Sequence, residues 1–416
     1  MPTYLAPGVY VEELDGGSKP LEAAGTAVAA FVGFTAAFPT DDPDDPNGQR
    51  PRRVSNWTQF ETLYGGLAPG IMLPHSVYGW FNNGGGAAYI ARVPHTDGNA
   101  EDPQPIAVGA DDFVGSESAR TGINGLVVAD EVTMVVIPDL ITATRNAEGE
   151  IDLVTFQAVQ TAAISHAEKT GDRLAILDTP PGLGPSAAAS WRSETAMYDS
   201  KFATLYYPWI KIGNPFAKPD NDEPKMITVP ASGHVAGIWA RNDATRGVWK
   251  APANEVVRGV LDVELKMTSQ EQEQLNPIGV NCIRPFGARG TRIWGARTLS
   301  SDPSWRYVPV RRVFNFVEKT ILMGTNWVVF ESNDEALWQR VKRTINAFLM
   351  GLYRDGALAG TSPGDAFYVK CDAETNPPES VDEGKLVVEI GIAPLKPAEF
   401  VIFRISQWQG GAAAAE

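Results

Sequence analysis

The sequence predicts an α/β protein, α+β overall, whose middle region holds a parallel sheet with helices on its faces. Between residues 132 and 207, strand-like and helix-like runs alternate, which is typical of such a sheet. Stretches rich in Pro and Asp at 39–53, 94–112 and 214–225 indicate surface loops. Because 416 residues exceed the size at which one hydrophobic core stops growing, we expect two or more domains.

Five elements are predicted in order along this middle region. They are a strand over 132–137, a helix near 153–169, a strand over 174–177, a helix near 187–198 and a strand over 203–207. Gly171 is predicted to end the first helix, since glycine readily adopts the left-handed conformation found there. The most apolar stretch, 23–38, is shorter than the roughly 20 residues of a membrane-spanning helix, so we expect a core strand there.

The last third of the chain predicts a smaller α+β domain. A helix near 333–353 is followed by strands over 386–392 and 400–405, and Ser332 with Glu335 fits a capping box at the start of the helix. Its apolar stripe, at spacings of four and three, consists of Leu337, Val341, Ile345, Phe348 and Leu352. The N-terminal run YLAPGVYVEEL also predicts a strand. Exposed strands recruit other chains through unpaired N–H and C=O groups, so both chain ends are expected to join copies.

Charge and cysteine content exclude several classes of function. The 35 Lys and Arg residues face 50 Asp and Glu residues, and the net charge of −15 argues against nucleic acid as a partner. Cys282 and Cys371 lie far apart and outside any CxxC spacing, so neither a disulfide framework nor a zinc site is indicated. The N-terminus has no basic segment before an apolar core. We therefore expect a protein made in the cytoplasm, without membrane insertion.

A nucleotide-binding function is not supported by the motifs. Asp178 follows an apolar strand, at the end where open α/β sheets bind ligands. A phosphate site would also need GxxxxGK[ST], or GxGxxG opening a helix, and the sequence has neither. We interpret Asp178 as a strand-end residue that begins a turn, and we predict no cofactor.

The alternative function is that of an α/β hydrolase. No GxSxG motif surrounds any serine, and Ser232 and His234 are too close in sequence to imply a triad, so we interpret PASGH as a loop. The histidines are His75, His95, His166 and His234. Their spacings do not form a metal-ligand pattern, so each is predicted to be a packed or solvated side chain. We predict no catalytic and no metal-binding residue.

A local basic cluster lies on the C-terminal helix. It consists of Arg340, Lys342 and Arg343, in a chain that is acidic overall. Two interpretations stay open, an ordinary solvated helix face and a docking site.

Long motifs from residue 4 to about residue 405 resemble, in order, those of the tail sheath proteins of contractile phage tails and related contractile injection particles. They are YLAPGVYVEE, AGTAVAAFVG, VPASGHVAGIWARNDATRGVWKAPAN, LNPIGVNCIRPF, RIWGARTLSSDPSWRYVPVRR, FYVKCDAETNPPE and LVVEIGIAPLKPAEFVIFRI. The resemblance implies a subtilisin-like middle domain without catalytic function. It also implies chain ends that insert as strands into a small sheet in the C-terminal domain of neighbouring subunits.

The resemblance gives the expected domains and arms. The divisions are 1–22 as N-terminal arm, 23–295 as outer and middle region with the α/β domain at about 120–290, 296–399 as C-terminal domain, and 400–416 as C-terminal strand arm and tail. The arm residues are Val9, Tyr10, Val11, Phe400, Val401, Ile402 and Phe403. Gly16 and Gly17 are candidate hinges, and Pro394 with Pro397 would limit movement before the last strand.

The resemblance also implies the function and the partners. Such a chain is expected to polymerise as a helical sheath around an inner tube and to contract, which drives the tube through a target envelope. The expected partners are other copies of the chain, the inner tube protein, and baseplate and cap proteins. Arg340, Lys342 and Arg343 become candidate contacts to the inner tube. The particle would be assembled in the bacterial cytoplasm and released by lysis.

Overall fold

A computed structural model describes residues 21–96, 106–145 and 150–404. The strands are β1 Ala29–Gly33, β2 Arg52–Val54, β3 Ala88–Arg92, β4 Met134–Val136, β5 Leu174–Asp178, β6 Ala203–Tyr207, β7 Ile210–Gly213, β8 Met226–Val229, β9 Val260–Val263, β10 Val280–Pro285, β11 Thr291–Ile293, β12 Phe367–Lys370 and β13 Glu389–Ile392. The helices are α1 Trp57–Tyr64, α2 Leu73–Asn82, α3 Ala110–Val114, α4 Gly122–Gly125, α5 Leu140–Ala143, α6 Leu153–Thr170, α7 Pro185–Ser190, α8 Ser232–Arg246, α9 Ser269–Leu275, α10 Val308–Gly324, α11 Glu335–Arg354, α12 Pro363–Ala366 and α13 Pro378–Asp382.

The central sheet has eight strands in the order β11-β10-β6-β5-β4-β1-β3-β2. The strands from β10 to β3 run parallel, while β11 and β2 pair antiparallel at the two edges. The predicted parallel α/β sheet is therefore confirmed. Because β2 and β3 belong to it, the segment 39–115 contributes strands to this sheet. A smaller antiparallel sheet, β8-β7-β9, lies beside it.

Both faces of the central sheet are buried under helices. In β1, Ala30 and Val32 face a core that includes residues of α6, whereas Ala29 and Phe31 face a second core with α2 and α8. This double burial explains why the parallel strands are continuous apolar runs in the sequence. The domain is thus a three-layer α/β/α structure.

The predicted elements of the middle region agree with the structure apart from their ends. The strand predicted over 132–137 is β4, and the strand in the stretch 23–38 is limited to β1. Gly171 caps the end of α6 in the left-handed conformation, with a φ of 71°. The helix predicted near 187–198 begins earlier, as α7, and continues into a π-helical turn over Trp191–Ala196.

The last part of the chain packs around a separate apolar core formed by α10, α11, β12 and β13. The apolar stripe of α11 is buried at Leu337, Val341, Ile345 and Leu352, but Leu349 is fully buried and Phe348 only half-buried. The predicted capping box is wrong. Asp334 is the cap instead, and its carboxylate accepts a hydrogen bond from Leu337 N at 2.8 Å.

The predicted terminal strands have different outcomes. The strand predicted over 386–392 is present as β13, which is shorter. Residues 400–404 form no strand in this single chain, so the strand predicted over 400–405 stays a prediction for the assembled protein. The N-terminal calls, Val9, Tyr10, Val11, Gly16 and Gly17, lie outside the described residues.

Candidate functional site: the C-terminal assembly surface

Among the described residues, the small sheet of the C-terminal domain has two strands. β12 and β13 pair antiparallel from Phe367 opposite Ile392 to Lys370 opposite Glu389. Beyond them, a single bridge between Leu358 and Pro394 adds to the pairing among the described residues. Two-stranded sheets are marginally stable in water, and their outer edges keep backbone groups available for a further strand.

The chain beyond this sheet presents an unusual apolar run. Phe400, Val401, Ile402 and Phe403 are between 70% and 83% exposed. Single exposed apolar side chains are normal, but four consecutive ones indicate an interaction segment. We call residues 400–403 the C-terminal arm. The same molecule therefore carries an open sheet edge and an exposed apolar segment that suits one.

The three residues of the predicted basic cluster differ in exposure and in ion pairing. Arg340 is 3.2 Å from the Glu331 carboxylate and lies over the Trp327 ring, so its charge is partly neutralised within the same domain. Lys342 is half-buried, and Arg343 is exposed. Arg340 and Arg343 are three positions apart and share a face of α11, whereas Lys342 points elsewhere. Arg343 is thus the most available charge of the three.

A buried aspartate, Asp178, also lies at the carboxyl end of a central strand, β5. The Asp178 carboxylate accepts hydrogen bonds from Ala231 N at 2.9 Å and Ser232 N at 3.0 Å, which caps α8. The interpretation of PASGH as a loop is wrong, because α8 begins at Ser232. Proline and glycine in that run suggested a loop, but the residue that caps the helix lies 53 positions earlier.

Asp139 performs a matching role that the sequence reasoning missed. It is fully buried near the end of β4, and its carboxylate accepts hydrogen bonds from Phe34 N at 2.8 Å and Leu73 N at 3.0 Å, and from Met72 N. It therefore caps α2 as Asp178 caps α8. An aspartate just after a predicted strand was the signal that could have found it.

The four histidines are packing residues. His234 lies against Gly79 of α2, where even a Cβ atom would be within 2.4 Å of the ring, and His95 stacks on Phe34. Burial lowers the pKa of His75, His166 and His234 to about 4. These side chains are therefore neutral at pH 7. Ser232 is fully buried, which does not suit a nucleophile.

No group of three or more His, Cys, Asp or Glu side chains that could hold a metal ion occurs within 21–96, 106–145 and 150–404. In the same ranges, none of the helices combines the length and apolar character needed to cross a membrane.

The buried carboxyl of Asp139 gives a prediction on pH. Burial raises its pKa to about 7, although the three backbone N–H donors oppose the shift. Since the folded pKa is raised, the stability linked to this proton is fully present below about pH 4 and is lost as the pH rises through about 7. Replacing Asp139 with asparagine should remove that contribution. The wild type should therefore lose stability relative to Asp139→Asn as the pH rises from about 4 to about 7.

Urea unfolding across this pH range measures the effect. Asp152→Asn is the control, because Asp152 also caps a helix, α6, but at the surface, where its pKa is lowered. Over the same pH range, Asp152→Asn should instead lose stability relative to the wild type as the pH rises. A constant difference for Asp139→Asn would contradict the prediction.

Solved structures share the fold of this protein over nearly the whole chain. The anti-feeding prophage (AFP) helical sheath in its contracted state is 28% identical, with a TM-score of 0.72, and the match covers 97% of this chain and 100% of that chain. The contracted PVC sheath complex of an extracellular contractile injection system is 28% identical, with a TM-score of 0.71, and the match covers 98% and 99%. The fold is that of a contractile sheath subunit.

Family models give the same assignment. Residues 139–299 match the phage tail sheath protein central domain, and residues 300–407 match the phage tail sheath C-terminal domain. The chain belongs to the phage tail sheath family, which confirms the resemblance noted from the motifs.

Curated relatives are tail sheath proteins as well. A prophage major tail sheath protein of Pseudomonas aeruginosa is 27% identical, over 74% of this chain and 75% of its own length. The tail sheath protein of Vibrio phage KVP40 is 24% identical over 77% of this chain, and the match spans about half, 49%, of that relative. The protein is thus a structural subunit of a contractile sheath, of a phage tail or a tail-like injection system, and not an enzyme. The hydrolase alternative has no support.

Proposed function

We propose that copies of this chain form a helical sheath in which each subunit donates both chain ends to its neighbours. The C-terminal arm of one copy, and the N-terminal arm with Val9, Tyr10 and Val11 of another, add as strands to the edges of the β12–β13 sheet. The observation that carries the proposal is the pairing of an open two-stranded sheet with an exposed apolar run in one domain. The matched AFP sheath is helical, which supports the helical arrangement.

The physical basis is strand addition with several weak links. Each main-chain hydrogen bond contributes a net of about 0.5–1.5 kcal/mol, and alternate apolar side chains of the arm add burial and set the register. Two arms make every copy both donor and acceptor, so the links act together. A head-to-tail contact that does not close extends into a helix. Energy for contraction would then lie in the packing of the extended sheath, behind a kinetic barrier.

An injection particle suits this chain better than a phage tail. Matches to the AFP and PVC sheaths extend over nearly all of both chains, whereas the match to the Vibrio phage protein spans half of that protein. The partners would be other copies, an inner tube protein, a baseplate and a cap, with neither nucleic acid nor membrane bound directly. A matched AFP baseplate structure supports contact with a baseplate. Assembly would take place in the bacterial cytoplasm, with release by lysis.

Finer features of the fold are part of the same proposal. The middle domain would be a subtilisin-like scaffold, in which Asp178 and Ser232 stabilise a helix start. The domain division would be 1–22, 23–295, 296–399 and 400–416. Gly16 and Gly17 would act as hinges of the N-terminal arm, while Pro394 and Pro397 would restrict the backbone before the C-terminal arm.

Arg340, Lys342 and Arg343 are proposed to contact the inner tube, with Arg340 and Arg343 on one face of α11 and Lys342 at its side. Reversing all three charges to glutamate should lower tube-templated assembly by about tenfold or more, because like charges across an interface are costly. Arg340→Glu alone should have a smaller effect, since Glu331 already offsets that charge. Pelleting of the sheath with the inner tube measures this effect, and templated assembly that survives the triple reversal would exclude the contact.

Electron microscopy tests the proposed assembly. The full chain is compared with a chain that lacks residues 1–15, each with and without its inner tube. Ordered tubes or rings that need residues 1–15 are expected. Folded monomers from the full chain, even with the inner tube present, would overturn the proposed arm-joined sheath.

A further inference from the structure

One carboxylate joins the base of the C-terminal arm to residues that lie beside the central sheet. Glu399 accepts hydrogen bonds from Arg297 Nε at 2.9 Å and Arg297 Nη2 at 2.6 Å, one on each oxygen. It also accepts from Asn276 Nδ2 at 2.8 Å and from the Tyr307 hydroxyl at 3.0 Å. Bidentate arginine–carboxylate pairs fix direction as well as position. We call Glu399, Arg297, Asn276 and Tyr307 the Glu399 clamp.

Arg297, which binds Glu399, is itself held by several hydrogen bonds. Arg297 donates from its backbone N to Asn281 Oδ1 at 2.7 Å, and its carbonyl accepts from Asn281 Nδ2 and from Thr204 Oγ1. Asn281 lies in β10 and Thr204 in β6, both inside the central sheet. The Arg297 side chain is only 10% exposed. Arg297 is therefore held in place by two strands of the central sheet.

The arm side of the clamp is otherwise loosely attached. Ala393 still bonds to the small domain, through Ala366 O. Over the described residues 395–404, the hydrogen bonds to the rest of the described chain are those of Glu399. Ala398 and Phe400, its immediate neighbours, are exposed. The half-buried side chain of Glu399 is thus the attachment point from which the exposed C-terminal arm continues.

The charge of the clamp suits a lasting attachment. Burial would raise the pKa of the Glu399 carboxyl, but the hydrogen bonds from Arg297 and Asn276 outweigh it and lower the pKa below its ordinary value. Glu399 is therefore ionised at neutral pH, which is the form that the arginine holds.

We propose that Glu399 is a positioning residue that fixes where, and in which direction, the C-terminal arm leaves the subunit. This inference rests on the proposed arm-joined assembly. An extended strand rises about 3.3 Å per residue, so the four arm residues reach only about 13 Å beyond the clamp. Within such a short reach, the starting point decides which neighbouring sheet edge the arm can meet and in which register. Holding the base also lowers the entropy lost when the arm binds.

Spin labels can measure the attachment directly. Cys282 and Cys371 are fully buried, so introduced cysteines take the label. One label is placed beside Glu399 through Ala398→Cys and one on α9 through Gln274→Cys, both at exposed positions. The distance distribution is recorded by double electron–electron resonance on dilute full-length chain. It should be narrow with Glu399 and broad after Glu399→Gln, while the melting temperature stays close to that of the parent.

Two further variants sharpen this measurement. Glu383→Gln is the matched control, since Glu383 pairs with Lys385 at the exposed surface, and it should leave the distribution unchanged. Tyr307→Phe removes a single donor from the clamp and should broaden the distribution partly. It keeps the test valid if Glu399→Gln does not fold.

Assembly is measured on the same substitutions in chains that keep the native Ala398 and Gln274. Glu399→Gln should raise the concentration needed for sheath formation about tenfold, as expected from the loss of a charge-assisted hydrogen bond. A distribution that stays narrow, or one that broadens without any change in this concentration, would overturn the inference. Deleting 400–404 separates the two proposals. If the chain without 400–404 still assembles, the proposed arm-joined sheath is refuted. The label distances then test separately whether Glu399 holds the base of the arm.

Discussion

Replacing Asp243 with alanine should lower the free energy of unfolding by about 3–5 kcal/mol. Asp243 in α8 pairs with Arg312 in α10 at 2.5 Å, and the two side chains are only 5% and 4% exposed. Arg312 also donates to Thr26 O at 3.0 Å and lies over the Trp239 ring. The alanine variant would leave the Arg312 charge buried without its partner. Because α10 begins the small domain, the same pair ties that domain to the central sheet.

Urea unfolding measures this loss. Glu383→Ala is the control, since its ion pair with Lys385 is exposed and should contribute less than about 1 kcal/mol. Replacing Asp243 and Arg312 together with leucine and methionine should restore part of the stability, because the cost comes mainly from the unpaired charge. A loss for Asp243→Ala no larger than that of the control would show that the pair does not hold the two domains together.

Changing all four residues of the C-terminal arm to serine should abolish sheath formation while the subunit stays folded. Phe400, Val401, Ile402 and Phe403 are exposed in the single chain, so their loss removes little from its core. In a sheet edge, alternate arm residues would be buried, at about 1.5–3 kcal/mol for each side chain. Two such side chains correspond to more than about a hundredfold in assembly concentration.

The chain offers a matched control for this variant. Another four exposed apolar residues lie between α10 and α11 or at the end of α10, namely Leu322, Met323, Val329 and Phe330. Changing these four to serine should leave assembly much closer to the wild type, as followed by sedimentation. Equal losses from both variants would mean that exposed apolar surface in general, and not the arm, drives assembly. Normal assembly by the arm variant would contradict the role of the arm.

The order of elements in the middle region could be predicted because each leaves a local signal. The strands of the parallel sheet are short apolar runs, and Gly171 adopts the left-handed conformation expected after a helix. The helix start at Ser232 could not be predicted in this way, since Asp178 supplies its cap from 53 residues away. At α11, both Ser332 and Asp334 are capping residues by type, and only the structure selects Asp334.

The candidate site shows the same limit. The apolar character of the C-terminal arm is visible in the sequence, whereas the clamp at its base joins Glu399 to residues 102 and 123 positions away. The basic cluster gives the opposite case. Arg340, Lys342 and Arg343 are adjacent in sequence, but the helix turns Lys342 away from the other two, and Glu331 offsets the charge of Arg340.

A cryo-EM map of the assembled sheath is the most direct test of neighbour-to-neighbour strand exchange. The β12–β13 sheet should gain strands from other subunits, one of them the C-terminal arm of a neighbour with its alternate apolar side chains turned toward the core around α11. Continuous density should lead from that strand back to Glu399 of the donor. A sheet that stays two-stranded in the tube, or an arm that folds back onto its own subunit, would contradict the account.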